Sequence, residues 1–301
     1  MSPTLRTWAR LAGGAAILGV LVWKVGSGPF LTGLERVEAP SVAAALALAA
    51  VSTTCNGVRW VLVARELHVP LSLPTAVAAC YRSQLLNSIL PGGVLGDVHR
   101  GIRHGSDTGA RSAGLRAVLW ERVLGQLVLV QAAAVLLVVV PSALPSWIPL
   151  LVGVAAGVLV LVAMTPTRWP LPADLRSLLT ARALPGIVLA SLGAVACYVL
   201  TFAVAAHAAG LTASAGTVVV LSLLALLAMS VPLNVAGWGP REGVVAWTCA
   251  TVGLGAAGGV STAVVYGVLG LVANLPGLGV LLLDRRRAGD PSPALAEVAR
   301  G

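Results

Sequence analysis

Apolar residues fill the chain in blocks of about 20 or more, separated by short polar segments. Blocks of that length predict membrane-spanning helices over 9–28, 41–64, 117–140, 147–164, 183–209 and 260–283. A further apolar stretch, 73–90, runs into SILPGGVLGDVHRGIRH at 88–104. Two more, 214–233 and 241–254, are separated by a second break rich in glycine and proline. Asn274 and Pro276 interrupt the last span and predict a kink, and Gly153 with Gly157 gives a weak small-residue packing signal. Trp8, Trp23, Trp60, Trp120, Trp147 and Trp169 fall near span ends, where an interfacial aromatic belt would place them.

Composition agrees with that pattern. The 301 residues are 57% hydrophobic and 10% charged, whereas a soluble domain carries about a quarter charged residues. The mean hydropathy is +0.92. The sequence reads as a single transmembrane domain over 1–284 and a short cytoplasmic tail over 285–301. A net charge of +9 raises the question of nucleic-acid binding, but the arginines are scattered over short loops and follow the positive-inside rule. Arg6 and Arg10 precede the first span, and Arg285, Arg286 and Arg287 follow the last, which predicts cytoplasmic termini. Arg168, Arg176 and Arg182 mark another inside loop. The first span has no good cleavage site after it and reads as an uncleaved helix, not a signal peptide. The four cysteines lie far apart in apolar segments and read as buried small side chains.

Orientation exposes a conflict. Arg65 and the loop carrying Arg100, Arg103, Arg111 and Arg116 both look cytoplasmic, yet one full-length apolar segment separates them. A hairpin resolves it: residues 73–90 enter, Pro91, Gly92 and Gly93 turn, and the chain returns to the same face. The same reasoning makes 214–254 a hairpin entered from the opposite face. The expected fold is an all-α polytopic membrane protein with about six full spans and two broken, re-entrant hairpins, arranged as an inverted repeat with its ligand site near the midplane.

The two breaks share their spacing. Pro91 is followed by Gly96 at five residues and Arg100 at nine, and Pro232 by Gly237 and Arg241 at the same intervals. Helices restarting after such breaks present free N–H groups and partial positive charge to an anion. An arginine adds a fork suited to phosphate. A packing kink with an arginine snorkelling to the interface explains either motif alone. Arg82 and the stripe Ser83, Gln84, Asn87 and Ser88 precede the first turn, and the stripe should line a cavity or a helix contact. Glu121 and Arg122 lie just inside the span 117–140. Glu121 is expected either to pair with Arg100 or Arg103 or to act on substrate or protons, and Glu242 beside Arg241 repeats the arrangement.

Val231-Pro-Leu-Asn-Val-Ala-Gly-Trp-Gly-Pro-Arg-Glu-Gly243 resembles the Arg-Glu-Gly signature of the lysylphosphatidylglycerol synthase transmembrane-region family, also called flippase-like membrane proteins. Leu90–Arg100 and Trp120-Glu121-Arg122 fit its first half, and the resemblance covers about 5–285. It implies a bacterial inner-membrane protein that moves phospholipids or polyprenyl-linked lipids between leaflets. The chain is expected to lack the soluble synthase domain that follows in two-domain members and so not to make the lipid, with a separate lipid synthase or glycosyltransferase as its expected partner. The expected headgroup site comprises Arg82, Asn87, Pro91, Gly92, Gly93, Gly96, Asp97, Arg100, Glu121, Arg122, Asn234, Gly237, Gly239, Arg241 and Glu242. No P-loop pattern is present, so direct use of ATP is not expected, and neither a metal nor another cofactor is. Three alternatives stay open: a small-solute transporter, a membrane-embedded lipid-modifying enzyme using Asp97-Val98-His99 as an acid–base pair, and an accessory protein supporting a separate lipid synthase or glycosyltransferase.

Overall fold

In the computed structural model the described residues are 19–90, 94–107, 109, 111–140, 147, 148, 151, 154, 173–180, 182–230 and 238–289. They form helices α1 (Gly28–Glu35), α2 (Ala39–Glu66), α3 (Leu73–Ile89), α4 (Leu95–Asp107), α5 (Arg111–Val139) and α6 (Ala173–Leu178). These are followed by α7 (Leu184–Ala208), α8 (Ala215–Met229), α9 (Pro240–Thr251), α10 (Ala256–Ala273) and α11 (Pro276–Gly289). Residues 19–25 are helical as well, and no strand occurs among the described residues.

Among the described residues, four helices are long and apolar enough to cross a membrane: Ala39–Glu66, Ser112–Val139, Leu184–Ala208 and the kinked Ala256–Asp284. The chain is therefore a multi-pass membrane protein. The first half of the expected span 9–28 and most of 147–164 lie outside the described residues, as do Gly153 and Gly157. The expected kink in the last span is present: α10 ends at Ala273, and Pro276 begins α11. The protein also buries what a soluble domain exposes. Arg59, Arg82, Asp97, Arg100, Glu121, Arg241 and Glu242 are buried, while Leu189, Val138 and Val139 are at least 69% exposed. An apolar exterior over a charged interior is stable in hydrocarbon and unstable in water.

α3 and α4 pack against each other on either side of the break at 91–93, and α8 and α9 do so around the break at 231–237. At 12 to 17 residues these four helices are at or below the minimum length for a span. The first helix of each pair starts alike. Ser72 caps α3 by accepting from the Thr75 N–H at 3.4 Å, and Ser214 caps α8 by accepting from the Thr217 N–H at 3.2 Å. A side-chain oxygen at this position satisfies one of the free N–H groups of the first turn.

Close crossings depend on missing side chains. A Cβ on Gly96 would stand 2.2 Å from the Ser83 carbonyl oxygen, so α4 lies directly on α3 there. A Cβ on Gly114 would stand 2.5 Å from the Gly105 nitrogen, which brings α5 onto α4. α2 runs along α7, with Gly193 against the Cys55 sulfur. Trp60 does not join an interfacial belt. It is 1% exposed, because α2 continues past it to Glu66 and its ring is covered by α4.

Gly114→Val should drive a side chain into the α4 backbone and cost about 1–3 kcal/mol of packing. The expected result is a lower melting temperature in detergent. Gly279→Ala, where nothing lies within 4 Å, should leave it unchanged.

Candidate functional site

Two carboxylates organise the interior of the first hairpin. Glu121, 1% exposed, lies ten residues beyond the start of α5 at Arg111, about 15 Å along the helix axis. It therefore lies deep in the span, not at its end. Its Oε1 accepts from Arg59 Nε at 2.9 Å and also from Arg59 Nη2, and its Oε2 accepts from Arg100 Nη2 at 2.7 Å. Arg59, on α2, also donates to Asn56 Oδ1 at 3.0 Å and Ser191 Oγ at 3.3 Å. Gly125 makes room for it, since a Cβ there would stand 2.7 Å from the Arg59 Cζ. Arg100 lies over the Trp60 ring at 4.4 Å and donates to Cys80 Sγ at 2.9 Å.

Asp97 is the second carboxylate. It accepts from Arg122 Nη2 at 2.7 Å and from Asn87 Nδ2 at 2.8 Å, and Arg100 Nη2 lies 3.3 Å away. Asn87 closes the hairpin from the other side, accepting from the Gly96 N–H at 2.8 Å. Glu121 thus pairs with Arg100 and Arg59. Arg103 turns instead to Asp284 at 2.8 Å, and Asp284 also pairs with Arg82.

The second hairpin builds a local pair. Gly239 has φ +117, a backbone state that a side chain resists, and Pro240 then opens α9. Glu242 Oε2 accepts from the Gly239 N–H at 2.7 Å, and its Oε1 accepts from Arg241 Nε at 2.8 Å. Neighbouring residues on a helix normally face apart. Here Glu242 reaches back to cap the helix, and the long Arg241 side chain folds onto it. The guanidinium carbon lies 5.1 Å from the Trp238 ring centre and 5.5 Å from that of Tyr266. Gly267 leaves space for it, because a Cβ there would stand 2.3 Å from Arg241 Nη2.

Between the hairpins lies a cavity of about 330 Å³. Gln84, Asn87 and Ser88 from α3 line one side, Trp238 and Arg241 another, and Arg122, Tyr198 and Tyr266 add to a polar surface that Ser52, Thr201 and Asn274 share. Arg122 also borders an adjoining cavity of about 190 Å³ with Arg59, Gln126 and Ser191. Its side chain is 47% exposed although it sits in mid-helix, so it faces these cavities. The α9 N-terminus is already capped by Glu242, so positive potential in the cavity comes chiefly from the two guanidinium groups.

Of the residues expected from sequence, Asn87, Arg122 and Arg241 line the larger cavity. Asp97, Glu121 and Glu242 stand behind them as partners, and Gly96 and Gly239 shape the backbone. Arg100 is buried at 2% exposure and does not line the cavity; Glu121 and Trp60 hold it, and Arg122 occupies the position expected of it. Arg82 is drawn away to Asp284. Pro91, Gly92, Gly93, Asn234 and Gly237 lie outside the described residues. Within the polar stripe Gln84, Asn87 and Ser88 reach the cavity, whereas Ser83 is buried and bonds the Cys80 carbonyl. His99 is exposed, apart from the Asp97 cluster. No group of three or more metal-ligating side chains occurs among the described residues. Sequence reasoning missed Arg59, Tyr198 and Tyr266. An arginine inside the apolar block 41–64 was the available signal for the first.

The family model of the lysylphosphatidylglycerol synthase TM region matches residues 7–277. No curated protein matches the chain.

Glu121→Gln should leave Arg59 and Arg100 buried against a neutral group, at a cost of about 3–5 kcal/mol. Size-exclusion profiles and melting in detergent should show the loss, with Glu121→Asp less affected.

Proposed function

The chain belongs to the lysylphosphatidylglycerol synthase TM-region family, and from that premise we propose that it carries anionic lipids or lipid-linked groups between the leaflets. The phosphate headgroup occupies the cavity between the hairpins, contacted by Arg122 and Arg241, while the acyl or prenyl chains stay in the bilayer. One observation carries this reading: Arg122, on the span that follows the first hairpin, and Arg241, in the second hairpin, face one internal cavity. A buried guanidinium is costly unless it has a function or a partner, and its planar fork matches phosphate oxygens.

The hairpins serve as re-entrant elements dipping in from opposite leaflets, related as an inverted repeat. Their paired serine caps, their short helices and their arginines stacked on aromatic rings support this relation. The protein belongs in the bacterial inner membrane with both termini cytoplasmic, as the arginine distribution indicates. It moves its cargo without a chemical step. Glu121 holds the scaffold, and Asp97 and Glu242 orient the two cavity arginines. A separate lipid synthase or glycosyltransferase would supply or consume the cargo.

Reconstituted into vesicles, the protein should translocate a headgroup-labelled anionic lipid. Arg122→Gln and Arg241→Gln should each lower the rate by about tenfold or more while the protein stays monodisperse. Unchanged rates in both would reject this site. Activity abolished by His99→Ala with lipid binding retained would point to an enzyme instead.

A further inference from the structure

The charges around the cavity do not balance. Among the described residues, Arg59, Arg100, Arg122 and Arg241 face Asp97, Glu121 and Glu242, which leaves one positive charge over. The turns at 91–93 and 231–237 add nothing to this count, because neither contains an ionisable side chain. The other deep ionic cluster, Arg82 and Arg103 on Asp284, does not line the cavity, and Arg103 is 42% exposed.

The surplus has a location. Glu121 divides its two oxygens between Arg59 and Arg100, and Arg122 Nε reaches no nearer to it than 3.9 Å. Glu242 serves Arg241. Asp97 must serve both Arg122 and Arg100, and Asn87 takes one of its oxygens as well. Arg122 therefore has the weakest claim on a counter-charge, and it is also the cluster's most exposed arginine, at 47% of its side chain. A guanidinium carries five N–H donors; Asp97 engages Nη2, Glu121 Oε2 lies 3.9 Å from Nε, and the remaining donors can meet a ligand from the cavity.

We propose that the site selects a headgroup bearing one negative charge, a lipid phosphodiester, over a dianionic phosphomonoester or a diphosphate, and that Asp97 sets this preference. The inference rests on the headgroup reading above. An uncompensated charge away from bulk water is unfavourable, and a monoanion brings the cluster to neutrality. A dianion overshoots it, so its second charge is desolvated with no partner. Asp97 acts through Arg122 as a resident anion that lowers the charge the site can accept by one.

The test uses the full chain in phosphatidylcholine nanodiscs or vesicles, with equal amounts of phosphatidylglycerol (one charge) and phosphatidic acid, at a pH raised until the phosphorus NMR shift of phosphatidic acid reports the dianion. Native mass spectrometry reads the ratio of the two lipids retained. The wild-type chain should favour phosphatidylglycerol by about tenfold, and Asp97→Asn should shift the ratio toward phosphatidic acid by a similar factor. Gln84→Glu provides a second arm should Asp97→Asn fail to fold. It puts a carboxylate of the same size in the cavity, where the Thr53 hydroxyl, now donating to Gln84 Oε1 at 3.0 Å, keeps an acceptor. That variant should lose enrichment of both anionic lipids over phosphatidylcholine. Equal or preferential retention of phosphatidic acid by the wild-type chain, or a ratio unmoved by the variants that fold, would overturn the charge rule. Displacement of the lipid by glycerophosphoglycerol, the same diester without acyl chains, would reassign the occupant to a soluble phosphodiester. A wild-type chain that enriches neither anionic lipid, and behaves like Arg122→Gln, would reject the headgroup site itself.

Discussion

Glu121 has no access to water, and two guanidinium groups from two other helices satisfy its oxygens. In hydrocarbon none of these three charges is tolerable alone, and removing one strands the others. The bridge therefore ties α2, α4 and α5 together at a depth where apolar side chains gain little by choosing protein over lipid. Trp60 extends the tie by stacking on Arg100, and Gly125 permits it by leaving room for Arg59. With Arg100 and Arg59 committed to structure, Asp97 is left to aim Arg122 at open space.

The two hairpins solve one problem by different means. Each must hold an arginine at depth beside a break in a helix. The first spreads the charge over three helices and two carboxylates. The second keeps it local: Glu242 caps its own helix and neutralises the residue before it, while Trp238 and Tyr266 cover the guanidinium. The outcome at the cavity differs accordingly. Arg241 presents an already neutralised group 4% exposed, and Arg122 a half-exposed one that shares its counter-ion.

Much of this was legible in the chain. Apolar blocks gave the long helices, and glycine and proline gave the breaks, because helix length and helix interruption are local properties. The Arg241-Glu242 and Glu121–Arg100 pairs were readable for a related reason: a charge in an apolar block needs a partner, and few were on offer. Arg59 was hidden by the apolar residues around it. Trp60 resembled a belt residue because its distance from the span end was right, and only the return of α4 across it shows otherwise. Which of Arg100 and Arg122 faces the cavity turns on a contest for two carboxylates in three dimensions, which spacing along the chain does not encode.

The bridge also constrains how the protein is made. Arg59 precedes Glu121 by 62 residues, so the ribosome delivers the cation to the translocon well before its counter-ion exists. A lone arginine at a helix centre costs about 2.5–3.5 kcal/mol on insertion scales, and Arg59, seven residues before the end of α2 at Glu66, bears part of that cost. During synthesis α2 must linger beside the insertion machinery, or sit shallow with its guanidinium at the lipid headgroups, until α5 emerges and draws it to full depth.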